Sequence, residues 1–170
     1  ALWQGYASWL GSPLILPSFS TTCVALAHDL ANGVLPSRTW ASLRFLAEGY
    51  AAGVGVAVVL TALAVTTRIG DDLLSTLTAM LGPLPGIALL PLMFVWFGLG
   101  TPSMIVVLMH SVIWPLSLNA RAGLSAVPES LRLVGRNYGL GRVRLMLVIM
   151  VPAALPSILS GLRVAWAFAW

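Results

Sequence analysis

Side chains able to do chemistry are scarce in this sequence, and their spacing limits what they can do. Of 170 residues, nine are basic and five acidic, and every basic residue is arginine. A phosphate-cradling loop of the form G-x-x-x-x-G-K-[ST] needs a lysine, so this chain cannot build one. Cys23 is the single cysteine, which excludes an intrachain disulfide framework or a cysteine-rich metal site. His110 and Ser111 are adjacent, and neighbours on a helix point apart, so they form no dyad with each other. The sequence holds no metal-ligand cluster, and its five carboxylates lie near the ends of apolar runs. The missing catalytic constellation argues against an enzyme.

One stretch does combine charge with helical spacing. Pro128 suits the first turn of a helix, where its absent N–H costs nothing, and Glu129 complements the positive helix end. Leu131, Val134 and Tyr138 recur as one apolar stripe, with Arg132 and Arg136 four apart on another face. Gly139 and Gly141 end this helix, because glycine readily takes the left-handed cap conformation. A second helix then starts near Arg142 and runs into the last apolar segment. Such an amphipathic element either docks into a groove on a soluble partner or lies on lipid headgroups anchored by arginine. Amphipathicity alone leaves both open.

The elements that hold this loop must sit in a membrane. The chain is 59% hydrophobic and 8% charged, with a mean hydropathy of +0.95, whereas soluble domains carry about 25% charged residues. Uncharged runs extend from Gly49 to Thr67, Leu73 to Ala120 and Leu145 to Leu162. With about 20 apolar residues per crossing, they hold one, two and one spans. The long run folds back at Gly98–Ser103, giving spans at 73–98 and 103–119. Pro83, Pro85 and Pro91 fall at the start of and inside the first of these. Helix breaks in lipid need neighbouring helices or a cavity, so this span is either packed in a bundle beside a pathway or simply kinked. Residues 1–27 read as the tail of a span followed by an interfacial loop, with Trp3, Tyr6 and Trp9 at the boundary. Residues 29–48 read as one or two short amphipathic helices. The fold class is therefore all-α, a polytopic bundle of about four complete spans plus a partial one at the N-terminal end. Both ends are expected to be cut, leaving one transmembrane domain over 1–170.

Charge sets the orientation. Loops 68–72 and 120–144 share a side and hold six of the nine arginines. The positive-inside tendency places them in the cytoplasm. That bias accounts for a pI near 10.2 without nucleic acid. Within the spans, Met93, Trp96, His110, Ser111, Trp114 and Asn119 are the polar or polarisable groups, and Arg163 stands in the last one. A histidine in the bilayer faces protein or water. His110 thus either bonds a neighbouring helix or touches a solute. Arg163 either snorkels, pairs with an acid or attracts anions.

Gly139, nine residues, then Ile149-Met150-Val151-Pro152 resembles the cytoplasmic signature of ATP-binding-cassette importer permeases, E-A-A-x-x-x-G-x(9)-I-x-L-P. Gly139, Ile149 and Pro152 match. Leu133-Val134-Gly135 replaces E-A-A, with small Gly135 at the second alanine, and Val151 replaces leucine. Further segments occur in the expected order, among them Leu16-Pro17-Ser18, Ala41–Gly49, Pro83–Leu92, Val95–Gly100 and Pro152–Arg163. Together they are similar to the nitrate, sulfonate, taurine and bicarbonate branch.

The resemblance implies a type I importer permease in the bacterial inner membrane, carrying a small anion such as nitrate, taurine or an alkanesulfonate. Its partners would be a dimer of cytoplasmic ATP-binding subunits holding ATP and Mg, a second permease copy as a homodimer, an extracytoplasmic substrate-binding protein and the lipid bilayer. No nucleic acid, and no metal or cofactor on this chain, is expected. Residues 120–147 would form the coupling loop, with the helix 129–138 as its contact and Gly139 as its hinge. Coupling would fall to Glu129, Arg132, Leu133, Val134, Gly135, Arg136, Tyr138, Gly139, Ile149 and Pro152. Translocation would fall to Met93, Trp96, His110, Trp114, Asn119 and Arg163. Rival readings are a permease for a vitamin or its precursor, and a channel or membrane scaffold without an ATPase.

Overall fold

The computed structural model describes residues 2–12 and 14–170. Over these residues the chain is helical, without strands. It divides into two compact units, 1–44 and 45–170.

In the first unit, α1 spans Leu2–Leu10 and α2 spans Phe19–Ala31. Ser18 caps α2 by accepting a hydrogen bond from the Thr21 N–H. The Trp3 indole donates to the Pro17 carbonyl at 3.0 Å, and the Trp3 and Phe19 rings meet edge-on. The interfacial loop expected before residue 27 is thus half helix. Ser18 supplies a start signal that the uncharged run conceals.

Helix α3, Val34–Thr66, is continuous over 33 residues. The expected boundary near Glu48 between an amphipathic helix and a span does not exist. No proline or cap interrupts the helix there, so the apolar span simply continues a more polar first half. Its buried face from the second unit repeats every three to four residues: Leu46, Gly49, Gly53, Ala57, Thr61 and Ala64. This ladder of small residues lets α3 approach α6, Thr101–Ser125. A Cβ on Gly49 would stand 2.6 Å from Leu108 Cβ, and one on Gly53 would stand 2.7 Å from Val112 Cβ. Helices in lipid associate through such close packing rather than through a hydrophobic driving force between them.

Helix α8, Arg142–Ala169, closes the core. Gly161 faces Asn119 and Leu116, while Gly123 faces Ser157, so α6 and α8 run antiparallel. Leu46, Ala57, Val112, Leu116, Ala165 and Ala169 form the main buried cluster. Tyr50 adds a hydrogen bond of 2.9 Å to the Leu162 carbonyl and an edge contact with Trp166. A second cluster of Leu124, Val127, Met150 and Ala154 seals the arginine-rich end.

Among the described residues, α3, α6 and α8 are the helices long and apolar enough to cross a membrane. The expected span over 73–98 is instead a bent pair. Helix α4, Arg68–Leu81, and the segment Gly86–Phe97 meet at 85°, the latter being a 3-10 turn over Gly86–Leu89 followed by α5, Leu90–Phe97. Counting this pair as one crossing gives four. Val58, Val59, Leu63, Leu155, Leu159 and Phe168 are exposed apolar side chains on the long helices, as a lipid-facing or assembly surface requires.

Candidate coupling element and broken-span cavity

Helix α6 continues to Ser125 and α8 begins at Arg142, so their connection is residues 126–141. Within it lies α7, Glu129–Asn137. Gly139 has φ of 72°, the left-handed conformation in which glycine carries no Cβ penalty. The Gly139 N–H bonds the Arg136 carbonyl at 2.9 Å and the Leu140 N–H bonds the Gly135 carbonyl at 3.0 Å. This is the paired closure of a Schellman motif, and it turns the chain sharply toward α8.

Two residues fasten α7 to the bundle. Gly135 is buried, and a Cβ there would lie 2.3 Å from Leu145 Cδ1 and 2.7 Å from Ile149 Cδ1. Gly135 and Ile149, separated in sequence, thus meet where α7 joins α8. Arg132 points inward: its Nη2 donates to the carbonyls of Leu124 and Ser125 at 3.1 and 3.4 Å. Those carbonyls end α6 and have no further helical turn to accept from. Its Nε is buried without a partner. Arg136 instead points outward, 62% exposed, and lies 3.9 Å from Glu129. Arg132 also lies 3.9 Å from Glu129, so the two arginines share that carboxylate, and only Arg132 reaches the end of α6 as well. Leu131, Leu133, Val134 and Tyr138 are all exposed, Tyr138 at 83%. The apolar stripe faces away from the chain's own core.

A local irregularity precedes Pro152. Residues Met146–Met150 form a π turn, with the Val151 N–H bonding the Met146 carbonyl. Proline removes one helical hydrogen bond and crowds the carbonyl four residues earlier; widening the helix by one residue accommodates it.

At the same end, Arg121 grips Asp71 with Nε–Oδ1 at 2.5 Å and Nη2–Oδ2 at 2.8 Å. The pair joins the start of α4 to the end of α6. Thr67 caps α4 by accepting from the Gly70 N–H at 2.9 Å. Sequence reasoning missed this pair, although it placed loops 68–72 and 120–144 on one side. The opposite charges at that end were its only signal. A cavity of about 420 Å³ lies beside it, lined by Thr67, Arg68, Asp71, Arg121 and Arg132 among others.

The break in the bent pair lies against the middle of α6. Gly86 packs so closely that a Cβ would fall 2.4 Å from Ser111 Oγ. Proline chemistry suits the break: the Gly82 N–H bonds Thr78 and the Leu84 N–H bonds Leu81, while Pro83 and Pro85 have no N–H to strand. Pro115, on α6 at the same level, leaves the Ser111 carbonyl without its helical donor. A cavity of about 470 Å³ opens there, lined by Pro83, Pro85, Gly86, His110, Trp114 and Phe168 among others.

The six residues assigned to translocation do not gather at one place. His110 and Trp114 line this cavity, with ring centroids 5.8 Å apart. Met93 is buried, and its carbonyl accepts from Ser103 Oγ at 3.1 Å. Asn119 donates to the Pro115 carbonyl at 2.8 Å, within its own helix. Trp96 and Arg163 are exposed on the chain's surface.

Comparison with known proteins agrees with this architecture. The profile of the family described as "Binding-protein-dependent transport system inner membrane component" matches residues 49–170. A putative ABC transporter permease protein of Methanocaldococcus jannaschii is 32% identical over 99% of this chain and 65% of its own length. A putative aliphatic sulfonates transport permease protein of Escherichia coli is 31% identical over 100% of this chain and 65% of its own. A nitrate import permease protein of Synechocystis is 31% identical over 77% of this chain and 48% of its own. The chain thus spans 65% of the length of the first two relatives.

Proposed function

This chain belongs to the binding-protein-dependent transport system inner membrane component family, and on that premise we propose that it is the permease subunit of an ATP-driven importer of a small oxyanion. The relatives named for sulfonates and nitrate support that substrate class. Two copies would form the pathway as a homodimer. A pair of cytoplasmic ATPase subunits would bind ATP and Mg, and an extracytoplasmic binding protein would deliver the solute. ATP hydrolysis belongs to the partner, since a lysine-free chain builds no phosphate loop. The permease is accordingly not itself the enzyme.

One observation carries this reading. Helix α7 is tied to α6 through Arg132 and to α8 through Gly135, yet it shows its apolar stripe outward. A short amphipathic helix with an open apolar face suits a groove on a soluble partner. Its two attachments carry any displacement to the helices around the broken span. Glu129, Leu133, Val134, Arg136 and Tyr138 would meet the ATPase, while Arg132, Gly135, Gly139, Ile149 and Pro152 would hold the lever in place.

Co-expression of the full-length permease with its ATPase tests this. The ATPase should co-purify and should be lost when residues 129–141 are deleted, and the intact complex should accumulate a small oxyanion in proteoliposomes in the presence of ATP. A stable permease that retains no ATPase would instead indicate a channel or scaffold.

A further inference from the structure

We propose that the cavity beside the Asp71–Arg121 pair is a binding site for the phosphoethanolamine headgroup of a membrane lipid. The inference goes beyond the importer reading and does not depend on it, since it needs only a membrane-embedded chain. The cavity, of about 420 Å³, lies where two spans end, α3 stopping at Thr66 and α6 at Ser125. With 25 residues, α6 is about 37 Å long against a hydrocarbon core of roughly 30 Å, so its ends stand at headgroup level. The lining is divided by polarity. Ala64, Leu124 and Met150 are buried, with Val65 half-buried beside them, whereas Thr66, Thr67, Arg68, Asp72 and Ser125 are exposed. An apolar floor under a charged rim matches the junction between a phospholipid's acyl chains and its headgroup. Basic pockets between spans take such headgroups.

Charge selects the headgroup. Arg68, Arg121 and Arg132 line the cavity together with Asp71 and Asp72. Asp71 is taken by Arg121 through both oxygens. Arg132 is taken by the α6 carbonyls and, at 3.9 Å, by Glu129. Arg68 and Asp72 remain, and among the described residues neither side chain has an ion pair or hydrogen bond. They stand one turn apart on one face of α4, with the cation first, the less favourable order for pairing along a helix. The cavity thus offers one free cation and one free anion side by side. A phosphate joined to an ammonium through two carbons answers both, the guanidinium donating to phosphate and the ammonium to the carboxylate. A headgroup with a phosphate but no ammonium would serve Arg68 and set its own charge against Asp72. Inorganic phosphate shares that fault and has no apolar portion to cover the floor.

Lipid retention tests the site. The full-length protein is reconstituted in nanodiscs of equal phosphatidylethanolamine and phosphatidylglycerol, released into mild detergent, and its retained lipid counted by native mass spectrometry. Wild type should retain phosphatidylethanolamine over phosphatidylglycerol by about threefold or more. Arg68→Gln should lower the retained phosphatidylethanolamine by about threefold. Asp72→Asn should erase the preference, releasing phosphatidylethanolamine and admitting phosphatidylglycerol. Arg144→Gln removes an arginine at the same end but outside the cavity lining, and should leave retention unchanged. Every variant is compared at unchanged elution volume, and excess inorganic phosphate should not displace the lipid. No preference in wild type, unchanged retention in Arg68→Gln and Asp72→Asn, an equal loss in Arg144→Gln, or displacement by inorganic phosphate overturns the proposal. A protein that imports solute with ATP yet shows no preference loses this site and keeps the importer reading. A preference that needs Arg68 and Asp72, in a protein that imports nothing, keeps the site and sinks the importer.

Discussion

Arg132 and Arg136 are one turn apart in sequence and do opposite work. Arg132 neutralises the carbonyl end of α6, and hydrogen bonds from a charged group contribute about 1.5–3 kcal/mol. Arg132→Gln should therefore lower the thermal unfolding midpoint of the permease. It should reduce binding-protein-stimulated ATP hydrolysis more than the basal rate. Arg136→Gln, at an exposed position with a loose ion pair, should shift stability by less than about 0.5 kcal/mol. If it acts, it should act on partner affinity alone. Gly135 gives a second residue-scale prediction. The atoms that an added Cβ meets are the tips of Leu145 and Ile149, which can rotate away, so Gly135→Ala should preserve ATPase co-purification. Gly135→Phe should abolish it, because overpacking of one to several carbons typically costs about 1–3 kcal/mol or more. Loss of co-purification with alanine would show that the corner has no slack. These distinctions were half legible in the sequence. The spacing from Gly139 to Ile149 and Pro152 identified the corner, but helical periodicity put both arginines on one face. It could not foresee that the carbonyl end of α6 would draw one of them inward.

At the level of elements, the difference between reading and structure has a consistent physical cause. Hydropathy finds where a chain can cross a bilayer, and apart from the cap residue Thr67 the runs over 49–67, 103–119 and 145–162 fall within long helices. It is blind to direction within an apolar run. The 85° bend at Gly82–Gly86 therefore looked like part of a single span, although Pro83 and Pro85 marked the place. Conversely, the polar residues of 29–48 suggested one or two short separate helices, yet from Val34 onward no stop signal exists and α3 runs through. The small-residue ladder of α3 was visible in the letters as glycine and alanine at four-residue spacing, yet only its contact with Leu108 and Val112 gives it meaning. Between elements, the Asp71–Arg121 pair holds α4 to α6. Its side chains are 41% and 31% exposed, so solvent screening keeps its contribution near the ~1 kcal/mol of surface pairs. Asp71→Asn and Arg121→Gln should each lower the unfolding midpoint modestly. In a double-mutant cycle the combined variant should lose less than the sum, while simple additivity would show that the pair is not coupled.

At the scale of the molecule, residues 45–170 form a lipid-embedded bundle with one arginine-rich end. The elements at that end carry the functional argument. The α6–α8 pair connects α7 to the cavity at the break, because His110 and Trp114 lie on α6 and Phe168 lies on α8. Motion imposed on α7 has a covalent and packed route to that cavity without passing through α3. This central claim requires that α7 face the compartment where ATP is found, and cysteine accessibility measures that directly. Cys23 is exposed, so the background is Cys23→Ser, with Tyr138→Cys as the single reporter at the most exposed position of the stripe. A membrane-impermeant maleimide should label this cysteine in inside-out vesicles and not in right-side-out vesicles, and bound ATPase subunits should block the reaction. Labelling from the external face would contradict the account, since no cytoplasmic ATPase could then reach α7.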